Sequence, residues 1–250
     1  MYIVCHASTA DRQASRDRKG NVTQNCLVGC SFNMCFTYVL SGWHGSAADA
    51  RIYHAARVAD FTIPVGKCYL ADAGFAACDE LLVPYRSVHY HLAEWGWASL
   101  LYVVPLHGYL FLVLNISFFR PRNPKELYNL RHAMLCNVIE HIFGVLKKRF
   151  HILLLPPEFN MEIQARIPPA LCLVHNVIRT HDPDDMIDYR HVESEEWSGH
   201  YNSGTLADSP PTEAACTRAH QHRDEITQSM WNDYNIKRHR RGLSVIQESD

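Results

Sequence analysis

The sequence predicts an α/β fold, α+β in character, with a mixed sheet. Three observations carry that prediction: a run of strands over residues 25–40, a helix pattern over 46–59, and a short apolar strand at 67–71. Strand, helix, strand in that order calls for a sheet with helices packed on it. At 250 residues with 47% apolar content, the chain is long enough to bury a full core. One domain over 1–182 and a tail over 183–250 account for it.

The elements follow in order. Tyr2-Ile-Val-Cys5 is an apolar run, after which the chain turns polar up to Gly20. Asn25–Phe32 and Cys35–Leu40 are rich in β-branched and aromatic residues, and Asn33-Met34 between them supplies a hairpin turn. Ser46 reads as an N-cap, with Asp49 in the first turn of a helix ending near Ala59. Pro64-Val-Gly66 interrupts the chain. Lys67–Ala71 is then a short buried strand that ends at Asp72.

Residues 125–150 give the clearest helix. Leu127, Leu130, Met134, Val138, Ile142 and Val145 recur at three and four residues, which is a core stripe. Glu140 lies off that stripe, with Asn137, Gly144 and Lys147 a turn to either side. A second apolar helix is expected over 163–179, entered near Pro168-Pro169. Beyond Asp182 the chain is acidic and irregular, and Pro210-Pro211 marks a linker. A charged helix over about 220–238 is expected within an exposed tail.

Residues 97–119 stand apart: 23 residues without Asp, Glu, Lys or Arg. Length and charge alone satisfy the criterion for a membrane span. A buried core element and sequence foreign to the fold are the other readings. A span would put Asp72 and Glu140 on opposite faces of a bilayer, so membrane anchoring is the minor alternative.

The net charge of −2 gives no global attraction to nucleic acid. DNA affinity must come from local patches, and Lys147-Lys148-Arg149 and Lys237–Arg241 are the candidates beside the plain reading of solvated helix faces. Nine cysteines form no disulfide framework and point to a reducing compartment, nuclear or cytoplasmic. The spacing of Cys26, Cys30 and Cys35 does not match a zinc site.

Two carboxylates on rigid elements, Asp72 at a strand end and Glu140 in a basic helix, are what a divalent-metal site for phosphate-ester chemistry needs. Such sites normally use a third. Several motifs occur in order: Arg18-Lys-Gly20, Gln24-Asn25, Ser41–Asp49, Tyr69–Phe75, Pro84-Tyr-Arg86, Tyr90–Gly96, Asn129–His132, Asn137–Phe150 and His175-Asn176. Together they resemble the PIF/Harbinger transposases, DDE-superfamily endonucleases, most closely fungal copies. The resemblance covers about 6–182 apart from the apolar segment.

The resemblance implies an RNase H-like core in which two Asp and one Glu bind two divalent ions, Mg²⁺ or Mn²⁺. Those ions activate water or a 3′-hydroxyl and stabilise the leaving oxygen during DNA cleavage and joining. Carried over by motif, Asp72 is the second Asp and Glu140 the Glu, both catalytic and metal-binding. Asp49 reads as a helix-start residue and not as a metal ligand. The place of the family's first Asp falls at or before Met1, so the two-ion site and the first strand are expected to be incomplete. The family's upstream helix-turn-helix region has no counterpart in these 250 residues. Residues 97–119 fall where family members pass almost directly from Glu-Trp-Gly to Arg-Pro-x-Asn, and so read as an insertion, translated intron or gene-model error.

The leading expectation is a truncated DDE nuclease domain acting on DNA, inactive as it stands. The alternatives are a non-catalytic module that binds DNA, or a protein partner supplying DNA binding, and a membrane-anchored protein.

Overall fold

The computed structural model describes residues 1–88, 121–182, 185 and 212–242, and the backbone of 103–106 and 109–112. Three antiparallel strands, β1 (Tyr2–Val4), β2 (Thr23–Cys30) and β3 (Phe36–His44), lie in the order β1-β2-β3. Ile3 pairs with Gln24 and Asn25 with Trp43. The β2–β3 hairpin forms where the sequence places it, and its turn puts Met34 at a φ of 62°. A second sheet pairs β4 (Tyr69–Leu70) with β5 (Leu81–Leu82) in parallel, so strands of both orientations are present.

Helix α1 (Asp49–Ala59) ends as expected but starts differently. Ala48, not Ser46, is its N-cap, and no side chain caps it. Ser46 is instead held in the preceding turn, where its N–H donates to Ala14 O. Gly45 fixes this corner, because a β-carbon there would lie 2.6 Å from Ser15 O and 2.8 Å from Thr23 O. A side chain at position 45 would displace the Ser15 and Thr23 backbone.

Helix α2 (Pro124–Arg149) is capped by Asn123, whose side chain accepts from Glu126 N–H at 2.9 Å. Its stripe is as predicted over Leu127, Leu130, Ile142 and Val145, with Leu146 added; Met134 and Val138 are half-buried. Ile142, Val145 and Leu146 meet Ile3, Cys26, Met34 and Phe36 of the first sheet, together with Leu153 and Cys172, in the main core.

Helix α3 (Met161–His181) begins two residues before the expected start at 163 and seven before Pro168. Asn160 caps it, accepting from Ile163 N–H at 2.9 Å. Pro168 and Pro169 lie inside it and strip two carbonyls of their helical donors. Those carbonyls belong to Gln164 and Ala165. Gln24 Nε2 donates to the first at 3.2 Å and Ser41 Oγ to the second. Side chains of the sheet thereby replace the lost backbone bonds, and the helix runs on through the prolines.

Helix α4 (Glu213–Arg240) is longer than the expected 220–238 and is not a free tail. It packs on α2 and β5, burying Ala219, Thr227 and Trp231. Tyr85 Oη donates to Asp224, the Arg223 guanidinium lies 3.8 Å from the Tyr85 ring centre, and Arg218 pairs with Asp79. Polar and cation–π contacts dock it. An apolar pattern therefore could not announce it.

Of the expected insertion, β6 (Val103–Leu106) and β7 (Tyr109–Leu112) form an antiparallel pair; the remainder of 97–119 lies outside the described residues. Among the described residues, no helix is long and apolar enough to cross a membrane.

Candidate active site

Asp72 stands just past the end of β4. The Gly74 N–H donates to its Oδ1 at 2.7 Å, forming a tight turn that fixes the carboxylate. A β-carbon on Gly74 would lie 3.0 Å from Asp72 Oδ1, close enough that the carboxylate would have to shift by a few tenths of an ångström. The same β-carbon would lie 3.9 Å from Asp49 Oδ2. The two carboxylates therefore border one small space above the Gly74 α-carbon.

Burial raises the Asp72 acid to about 6, and the neighbouring Asp49 adds to the rise. The Gly74 N–H, the terminal ammonium and Arg18 oppose it. Glu140 sits on α2 with its side chain open to water, so its loss of hydration is partial. That loss still raises its acid, and Asp72 adds to the rise. The fold thus brings both Asp49 and Glu140 within electrostatic reach of Asp72.

Cations surround this group. The Met1 nitrogen donates to Cys26 O at 2.7 Å and to Asn25 Oδ1 at 3.5 Å. Burial lowers its pKa, while Asp49 and Asp72 hold its charge. Lys147 acts on it with opposite sign and so lies within electrostatic reach of it. Lys148 is exposed. Arg149, grouped with the two lysines from sequence, turns the other way: only 7% exposed, it pairs with Asp185 at 2.6 Å. That ion pair on the α3 side takes Arg149 out of the outward basic face.

These donors fit a divalent ion in kind. Carboxylates of like charge held close together are relieved by a hard cation with oxygen preference, and Mg²⁺ keeps several of its waters. They do not form a closed cage, for no group of three or more His, Cys, Asp or Glu stands at metal-holding range among the described residues.

A family model described as DDE superfamily endonuclease matches residues 3–176, more than half of the chain. The chain belongs to the DDE superfamily of endonucleases. No curated protein and no solved structure matches it. In this DDE endonuclease the matched span holds β1 to β5, α1, α2 and most of α3, and with them Asp49, Asp72 and Glu140. Membership implies a DNA substrate and, typically, divalent metals.

Several motif residues that carried the resemblance prove to be clamps of the fold. Asn129 binds the Tyr85 backbone with both ends of its amide, at 2.8 and 2.9 Å, and Asn176 does the same to Phe36 at 2.8 Å twice. Sequence reasoning passed over the partnership of Asn25, Asp49 and Asp72. One signal was available: an Asn in mid-strand is disfavoured and asks for a polar partner.

Proposed function

We propose that this chain is a transposase-derived DDE nuclease domain of the PIF/Harbinger type with an RNase H-like core. Asp72 and Glu140 are its metal-binding catalytic carboxylates, and its turnover is poor. What supports this reading is that Asp72, just past the end of β4, lies close enough to Glu140 on α2 for its charge to raise the Glu140 acid, and that both fall inside the matched span.

Divalent ions at such a site would activate the attacking oxygen and stabilise the leaving one. The chain's own part is to hold Asp72 rigidly through the Gly74 N–H and to present Glu140 from a helix anchored in the core. Lys147 and Lys148 lie on that helix where the DNA backbone would approach. Turnover is poor because, among the described residues, no group of three metal-holding side chains forms around Asp72 and Glu140.

The test is nicking of supercoiled plasmid in Mg²⁺ or Mn²⁺ by the chain and by Asp72→Ala and Glu140→Ala variants. Nicking close to background is expected for all three. Robust nicking that either substitution abolishes would overturn the low turnover and keep the site. Robust nicking that both variants retain would overturn the site assignment.

A second reading, a non-catalytic DNA-binding module, is favoured by the exposed Lys148 and by the basic last turn of α4, Lys237–Arg240. Under that reading, gel shifts weaken steeply with salt while divalent ions change nothing.

A further inference from the structure

We infer that Asp49 is a further carboxylate ligand of the divalent-ion site, set beside Asp72 by the buried side chain of Asn25. The inference rests on the nuclease reading above and adds to it a residue which the family motifs leave as a helix start.

Asp49 opens α1, where an acidic residue ordinarily complements the helix N-terminus. Here its hydrogen bond goes sideways. Asn25 Nδ2 donates to Asp49 Oδ1 at 2.8 Å, and α1 begins at Ala48 with no side-chain cap. With Oδ1 taken by Asn25, Oδ2 is the oxygen that borders the space over Gly74 shared with Asp72 Oδ1.

Asn25 is built to hold that orientation. It is 0% exposed, its Nδ2 also donates to Ala47 O at 3.2 Å, and its Oδ1 accepts from the Met1 nitrogen. It sits in β2 beside a register shift between Asn25 and Leu27, the kind of bulge that re-aims side chains next to active sites. A fully buried amide in mid-strand, spent on one carboxylate and the backbone two residues before it, fixes Asp49 to a rigid sheet. A helix N-terminus could have been satisfied with a serine at position 48. Two like charges held next to each other by rigid elements are relieved by a cation shared between them, and Mg²⁺ or Mn²⁺ has the oxygen preference and size for that place.

The experiment is a Mn²⁺ titration of the full chain followed by electron paramagnetic resonance, comparing wild type, Asp72→Asn and Asp49→Asn, with circular dichroism on each. Asp49→Asn keeps the shape and the acceptor for Asn25 and removes only the charge. The expected result is Mn²⁺ affinity weakened at least tenfold in both variants, with helix content unchanged. Wild-type affinity in Asp49→Asn beside a loss in Asp72→Asn would overturn the role of Asp49 and leave the metal site standing. No Mn²⁺ binding by wild type would overturn both readings. If Asp49→Asn loses helix content, Asn25→Ala carries the test, because it frees the carboxylate without removing it. Affinity reduced several-fold there supports the inference, and unchanged affinity overturns it.

Discussion

Asp72 combines two demands that oppose each other in the absence of a cation. Its hydrogen bond from Gly74 N–H favours the charged form, while burial and Asp49 disfavour it, and the balance leaves the acid raised to about 6. Its unfolded value is 3.8, so the folded chain binds the extra proton between about pH 4 and pH 6. Stability from this group is therefore highest in acid, falls as pH rises through that window, and is lowest at neutral pH. After allowance for its partial exposure, Asp72→Asn should stabilise the metal-free protein at pH 7 by about 1–2 kcal/mol, with the gain vanishing near pH 4. Urea melts in EDTA at the two pH values check this. A variant less stable than wild type at pH 7 would show that the carboxylate is favourably paired.

At the level of elements, the β2–β3 hairpin, α1 and α2 were legible because periodicity and turn chemistry agree along each of them. Two elements were not. The double proline read as a helix entrance because proline removes backbone donors, and only the folded chain shows Gln24 and Ser41 reaching across from the sheet to replace them. This bridging is testable by a double-mutant cycle. Ser41→Ala should cost about 1 kcal/mol by leaving Ala165 O without its donor, and the cost should shrink when Pro169→Ala restores the helical N–H. Equal costs in both backgrounds, measured by urea denaturation, would count against it. The docking of helix α4, a helix expected within an exposed tail, escaped notice for the converse reason: it relies on Arg223 over Tyr85, on Asp224 and on the single large apolar anchor Trp231, 3% exposed. Trp231→Ala should destabilise the protein by about 3 kcal/mol, and an unchanged urea midpoint would show that α4 does not dock.

Across the whole molecule, a net charge of −2 leaves DNA attraction to local geometry. The fold divides the Lys147–Arg149 run, sending Arg149 inward to Asp185, keeping Lys147 within electrostatic reach of the Met1 ammonium and leaving Lys148 exposed. Replacing both lysines with Ala should weaken DNA binding evenly across sequences and lower the salt slope by about one for each. An unchanged slope in salt-titrated gel shifts would place the DNA elsewhere. The site itself was half legible. Asp72 and Glu140 stand out by motif, whereas Asp49 is marked only by an Asn whose partner lies 24 residues away in sequence and becomes a neighbour through strand pairing and a bulge.

The central claim is that Asp72 and Glu140 both serve the divalent-ion site. Thermal melts with and without Mn²⁺ at pH 7 test it most directly, because an ion bound only to the folded chain raises the melting temperature. The account predicts a rise for wild type that is lost in both Asp72→Asn and Glu140→Gln, each compared with its own metal-free melt. A full wild-type rise in Glu140→Gln would contradict it.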